Sequence, residues 1–240
     1  MRVGIIGAGN MGSAFARRLT AAGHDVVIAS RDVADAKELA GSVGARAVPL
    51  QQLADGVDVL VAATPYAQQA NALRASGRVE GKAVVEISNP LKPDMSGLAV
   101  GHTTSAAEEV AKAVPGARVV KAFNTIFAQV LADGSASGAR PQVFYAGDDA
   151  AAKDTVRSLI ESMGFDPLDA GPLSNARYLE PLGMLNIYLG YVAKMGTGIA
   201  FMVRQVAGEA AEASADKGAR QTAQSRSAPA RGQEPRPSAG

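Results

Sequence analysis

The chain has 240 residues, of which 47% are hydrophobic, with 24 basic against 23 acidic residues and a net charge of +1. That is enough apolar sequence to bury a core in one or two domains, and the even charge balance points to neither nucleic acid nor an anionic membrane as partner. With no cysteine and two histidines, disulfides, thiolate chemistry and histidine-rich metal sites are excluded. The first strand starts at residue 2, which leaves no room for a secretory layout and predicts a cytoplasmic protein.

Arg2 to Ile6 reads as a short buried strand, and Gly7-Ala8-Gly9-Asn10-Met11-Gly12 follows at once. Ser13 to Ala22 has helical spacing, and Asp25 to Ser30 is a second apolar strand. Strand, glycine turn, helix and strand in this order form a dinucleotide-binding unit. Gly7 permits the tight turn, Gly9 lets backbone approach a pyrophosphate, and Gly12 lets the helix pack close to the strand. The phosphates are then placed on free N–H groups at the positive helix end, beside Asn10 and Met11.

An NAD-preferring site puts an acid at the end of the second strand, to bond the ribose 2′-hydroxyl. This chain has Ser30-Arg31. A hydroxyl and a guanidinium fork suit a 2′-phosphate, so the reading is NADP rather than NAD. Asp32 could turn back toward a ribose, but its position suits a cap for the helix Val33 to Ala40. Lys37 on that helix is a candidate for extra charge near the phosphate.

Further on, Val48-Pro49 is a short strand or turn, Leu50 to Asp55 a short helix, and Val57 to Ala62 a buried strand. Thr64-Pro65 reads as cap and first position of a helix from Tyr66 to Leu73. Lys82 to Ile87 is a strand closed by Ser88-Asn89-Pro90. After a loose stretch from Leu91 to His102, Thr104 or Ser105 caps a helix through Val114, with Glu108 as capping-box partner of Ser105. Strands follow at Arg118 to Ala122, Gln142 to Ala146 and Phe165 to Asp169, with a helix from Ala150 to Met163. Strands alternating with helices predict a doubly wound parallel α/β sheet. Its ligand crevice lies beyond the carboxyl ends of the strands, among the loops at Gly7, Ser30, Thr64, Ser88 and Phe123.

Residues 182 to 203 are apolar, but Asn186, Lys194 and four glycines interrupt them. A buried helix from Asn175 to about Lys194 is expected in place of a membrane span. It would pack on the core, meet a second subunit and form one wall of the pocket. The residues from 206 to 240 have a composition that favours disorder.

No nucleophile triad or acid/base pair stands out. His24 sits in a turn away from the crevice and reads as structural, while His102 is ambiguous. Such a chain suits a reaction in which a cofactor carries the chemistry and the protein stacks two rings and excludes water. Asn89, Asn124, Thr125, Ile126 and Phe127 are placed after neighbouring strands to line that slot; Asn89 and Asn124 could equally just close turns.

The Gly-Ala-Gly-Asn-Met-Gly turn with Ser30-Arg31, Val120-Lys121-Ala122-Phe123-Asn124-Thr125, Ala146-Gly147-Asp148-Asp149 and the block Leu168 to Glu180 together resemble the NADPH:coenzyme F-420 oxidoreductase family, over residues 1 to about 203. The resemblance implies a Rossmann domain over 1–170, a small C-terminal helical dimerisation portion over 171–205, and a homodimer. It implies hydride transfer between NADP(H) and an 8-hydroxy-5-deazaflavin, with Ser30 and Arg31 on the 2′-phosphate. The deazaflavin would lie against the loop after Phe123 and the Met195-Gly196 segment. Archaeal members carry histidine where this chain has Asn124. The 120–125 segment is also similar to N-terminal reductase domains of membrane ferric reductases, which pass hydride to FMN or FAD. The glycine loop also resembles that of pyrroline-5-carboxylate reductases, so an imine acceptor is a third expectation and a non-catalytic NADPH-binding protein a fourth.

Overall fold

The computed structural model describes residues 1–134 and 140–206. Its strands are β1 (Arg2–Ile6), β2 (Asp25–Ala29), β3 (Arg46–Ala47), β4 (Val59–Ala62), β5 (Ala83–Glu86), β6 (Arg118–Ala122), β7 (Gln142–Gly147) and β8 (Asp166–Asp169). Its helices are α1 (Asn10–Ala21), α2 (Val33–Val43), α3 (Tyr66–Ala75), α4 (Ala106–Ala113), α5 (Ala128–Asp133), α6 (Ala150–Ser162) and α7 (Ala176–Ile187). The strands form one sheet in the order β3-β2-β1-β4-β5-β6-β7-β8. The order reverses between β1 and β4, which opens a crevice above their carboxyl ends.

The central strands are almost continuously apolar because both sheet faces are covered there, while the edge strands β3 and β8 are short and partly exposed. Val3, Ile5, Val59 and Val61 face a core shared with Phe15 and Leu19 of α1 and Leu159 of α6. Ile6, Leu60, Ala62 and Val84 face the opposite core, with Leu73 of α3, Val110 of α4 and Ala176 of α7. Gly12 is buried where α1 crosses β1. A Cβ there would lie 2.0 Å from the Gly7 carbonyl oxygen, so the close helix–strand approach admits glycine alone.

The helix caps follow local chemistry. Asp32 accepts from the Ala34 N–H at 2.8 Å and Asp149 from the Ala152 N–H at 2.8 Å. Ser105 Oγ accepts from the Glu108 N–H and donates to the Glu108 carboxylate at 2.7 Å. Thr64 departs from the expected cap. Pro65 is extended, at φ −57° and ψ 143°, so α3 begins one residue later, and no side chain caps it. Thr64 Oγ1 is buried without a partner. The third strand also falls two residues earlier than Val48-Pro49, at Arg46–Ala47, and Leu50–Gln52 forms only one tight helical turn.

The sheet is not wholly parallel, because β7 runs antiparallel to β6. Among its described residues, the connection between them carries the six residues of α5 as helix. That spans about 9 Å, against roughly 16 Å for a five-residue strand, and the chain re-enters the sheet from the end it left. β8 then pairs parallel to β7 through α6.

After β8 the chain crosses the sheet as α7 and continues as a wider π-helical turn, Tyr188–Val192. Met1–Met202 hold together as one unit that includes α7. The tail expected to be disordered lies, from residue 207 on, outside the described residues. No helix among the described residues is long and apolar enough to cross a membrane.

Candidate functional site

Two chambers meet at the reversal of strand order. They share Gly9, Ala63, Thr64 and Pro65. The smaller has a volume of about 490 Å³ and runs from the glycine turn to Ser30, Arg31, Asp32 and Asp35. The larger, about 640 Å³, runs from Gly9, Asn10 and Met11 past Ile87-Ser88-Asn89 to the loop after β6 and to α7. Both volumes fall in the range of small-molecule sites.

The smaller chamber is made by backbone. Gly7 sits at φ +110°, and a Cβ on it would meet the Ala63 carbonyl oxygen at 2.6 Å. Gly9 is the N-cap of α1. No side chain caps that helix, and no acid stands in its first turn. A Cβ on Gly9 would meet no atom within 4 Å and would project into open space. The α1 N–H groups therefore face an open cradle at the positive end of the helix dipole, which suits a diphosphate. Arg31 is exposed at the chamber edge and makes no ion pair among the described residues. Asp32 is occupied as the α2 cap, which leaves Ser30 and Arg31 as the groups suited to a 2′-phosphate. These residues fit an NADP nucleotide. Lys37 is exposed on α2 and lines neither chamber.

The larger chamber is made by side chains. Asn89 donates to the Asn124 carbonyl oxygen at 2.8 Å, and Asn124 Nδ2 donates to Asn89 Oδ1 at 3.0 Å and to the Leu179 carbonyl oxygen at 2.7 Å. The reading of these asparagines as mere turn closers is too small, because the pair ties the loops after β5 and β6 to α7. Gly183 of α7 makes room for it. A Cβ there would lie 2.4 Å from Asn89 Oδ1 and 2.7 Å from Asn124 Nδ2. Phe123 takes a left-handed backbone, φ 61°, rare for a bulky residue and costly by about 1–3 kcal/mol. Edge-on packing against Phe15 at 4.9 Å and Phe165 at 6.1 Å holds it there.

Ile126 and Phe127 line the chamber, and Phe127 stacks edge-on against Tyr191 at 5.6 Å. Thr125 does not line it. Its side chain is buried and its carbonyl oxygen accepts from Asn186 at 3.0 Å. Met195 is also outside the lining. It is 59% exposed, although its N–H donates back to the Leu189 carbonyl oxygen at 3.1 Å.

Other lining residues were not anticipated. Tyr66 opens α3 beside the larger chamber, and its hydroxyl donates to Glu109. Burial first, and then this carboxylate, push the Tyr66 phenol above its ordinary range. Leu91 and Met95, from the loose loop, also reach the chamber. Gln69 is buried and donates to the carbonyl oxygens of Ala62 and Thr64, holding the rim they form. The tyrosine at the start of a helix after Thr-Pro was the available signal for Tyr66; Gln69 offered none. His24 lies away from the crevice between the chain N-terminus and Ser162, and His102 lines neither chamber.

Beneath the larger chamber is a charged cluster. Lys121 donates to Glu86 at 2.6 Å, to Glu180 at 2.9 Å and to the Ser88 carbonyl oxygen at 2.5 Å. All three charged residues are fully buried. Burial pushes the Glu180 carboxyl up, against the opposing pull of the Lys121 ammonium.

Residues 2–90 match the family model described as NADP oxidoreductase, coenzyme F420-dependent. Metalloreductase STEAP3 of Rattus norvegicus is 34% identical over 186 residues, 77% of this chain, but the match spans only 37% of that relative. The F420-dependent NADP reductase of Methanothermobacter marburgensis is 30% identical over 207 residues, covering 79% of this chain and 92% of the relative. The crystal structure of a candidate F420-dependent NADP reductase from Arthrobacter sp. FB24 superposes with a TM-score of 0.77 at 30% identity, over 85% of this chain and 99% of that one. An uncapped glycine turn, an arginine where NAD sites carry an acid, and likeness to a reductase over 92% of that relative's length agree: the chain belongs to the coenzyme F420-dependent NADP oxidoreductases.

Proposed function

We propose that this chain transfers hydride reversibly between NADP(H) and the deazaflavin coenzyme F-420. The observation that carries the reading is the junction of the two chambers at Gly9, Ala63, Thr64 and Pro65. One chamber suits the phosphates of a dinucleotide. The other suits two flat rings brought face to face.

Bound NADPH supplies the hydride. The α1 N–H groups would hold its diphosphate, and Ser30 and Arg31 its 2′-phosphate. Ile87, Ser88 and Asn89 would flank the nicotinamide. Asn124, Ile126 and Phe127, with Gly183, Ile187 and Tyr191 across from them, would flank the acceptor. The acceptor gains one hydride from NADPH and one proton from water, and NADP⁺ is left. The protein's part is to orient the rings and exclude water, which accounts for the lack of an acid/base pair. For F-420 in particular, support comes from the 30% identity to the M. marburgensis reductase over 92% of its length.

A second reading keeps the donor and changes the acceptor to FMN or FAD. It is favoured by the 34% identity to the metalloreductase. Mixing the protein with NADPH and oxidised F-420, FMN or FAD, and following nicotinamide absorbance, separates the two. Oxidation with F-420 alone is the expected result, and oxidation with a flavin alone would replace the first reading by the second. NADPH binding with no oxidation by any acceptor would leave a non-catalytic nucleotide-binding protein.

The outer face of α7 and the turn after it carries Tyr178, Leu185, Tyr188, Val192 and Met195, all 47–73% exposed. A second copy of the chain would cover this stripe. Light scattering at the mass of two chains is expected, and a monomer at micromolar concentration would refute the pairing.

A further inference from the structure

The larger chamber stands on three buried charges for which hydride transfer between bound rings has no direct need. Glu86 ends β5, and its register partner across the sheet is Lys121 of β6. Glu180 comes from α7. All three N–H bonds of the Lys121 ammonium are used, on Glu86, Glu180 and the Ser88 carbonyl oxygen. The other Glu86 oxygen accepts the Ser88 N–H at 2.7 Å. Both backbone polar groups of Ser88 are thus held by charged side chains, which orient more strongly than neutral ones.

Glu180 extends the network. It accepts from the N–H groups of Ala106 at 3.0 Å and Ala107 at 3.3 Å, at the start of α4. The neighbouring Leu179 carbonyl oxygen holds Asn124, which holds Asn89. Ser88, Asn89 and Asn124, three lining residues of the larger chamber, are therefore fixed from below by one network. Apolar side chains of similar volume often replace such a cluster without loss of stability. Stability alone does not explain these charges, whereas the backbone geometry they impose on Ser88 does.

We propose that Glu86, Lys121 and Glu180 are positioning residues. They fix the Ser88-Asn89 segment as the wall against which the nicotinamide is held. They govern the hydride-transfer step and leave nucleotide affinity alone, because none of the three lines the phosphate chamber. The proposal rests on the reading of the larger chamber as the ring site.

The test uses the full chain with Glu86→Gln, Lys121→Met and Glu180→Gln combined, which keeps volume and removes charge. Unfolding is followed first, then NADPH affinity, the fluorescence anisotropy of bound NADPH, and single-turnover oxidation by whichever acceptor the wild type reduces. The expected result is a folded variant with NADPH affinity within about threefold of wild type, lower nicotinamide anisotropy, and hydride transfer slowed by about 10²-fold. Wild-type anisotropy and rate in the folded variant would overturn the proposal, as would equal losses in affinity and rate.

Should the triple variant fail to fold, Glu180→Gln alone is expected to slow the same step with affinity retained, and a wild-type rate there overturns the proposal too. Anisotropy needs no acceptor. If wild-type protein binds NADPH but leaves its nicotinamide as mobile as in water, the ring-site reading fails and this proposal with it. An immobile ring in both proteins overturns the positioning role only.

Discussion

The two chambers are built by different means. The phosphate cradle is mostly backbone: a glycine at φ +110°, an uncapped helix start and a strand end, all within residues 7–35, with Leu50, Thr64 and α3 closing the chamber around it. The ring chamber is a meeting of side chains from α3, two strand-end loops and α7, tied by an asparagine pair and a buried charge cluster. A local device tolerates change outside its few residues. A long-range device responds to changes anywhere along its network. The difference says where variants should lose the fold, the donor or the chemistry.

The largest effect is expected at Gly12. Gly12→Ala places a Cβ 2.0 Å from backbone and should cost about 3 kcal/mol or more of stability, read as a fall in the urea midpoint. A midpoint within error of wild type would mean that α1 can lift off β1.

Next, Arg31→Ala should weaken NADPH binding by roughly 1.5–3 kcal/mol, the cost of losing a charged hydrogen bond, and leave NADH binding unchanged. Equal losses for both nucleotides would remove the 2′-phosphate from this place.

Gly183→Ala sharpens the comparison from the other side. Its Cβ would lie 2.4 Å from Asn89 Oδ1 and should part the asparagine pair at a cost of about 1–3 kcal/mol. Turnover should fall while NADPH affinity holds, in contrast to Arg31→Ala.

The smallest effect concerns Arg177, whose guanidinium grips Glu108 at 2.6 and 2.9 Å at the start of α4. The Arg177 hydrogen bonds hold the Glu108 carboxyl below its ordinary range, opposed by desolvation and helped by Ser105. A carboxyl lowered on folding adds stability above its unfolded value and loses it as pH falls through the folded one. Arg177→Ala should therefore lower Tm slightly at neutral pH, and the gap should close in acid. A gap that widens in acid would reverse the assignment.

The same contrast explains what could be read from sequence. The glycine turn and the Asp32 and Ser105 caps were legible because each is a side chain or glycine acting on backbone a few residues away. Thr64 looked like a cap but depended on the ψ of Pro65, which residue types do not fix. The antiparallel β7 depends on the route of a connection, and alternation of elements carries no such information. Asn89 and Asn124 were identified as wall residues from their places after strands, but their pairing needs Gly183. The charge cluster brings together residues 35 and 59 positions apart, each of which alone reads as a polar residue in or beside an apolar run.

The most direct measurement is a crystal structure of the chain with NADP⁺ bound. The account predicts the diphosphate on the Gly9 turn at the start of α1, the 2′-phosphate against Ser30 and Arg31, and the nicotinamide beside Ser88-Asn89. A nucleotide bound elsewhere, or one whose adenosine phosphate points away from Arg31, would contradict it.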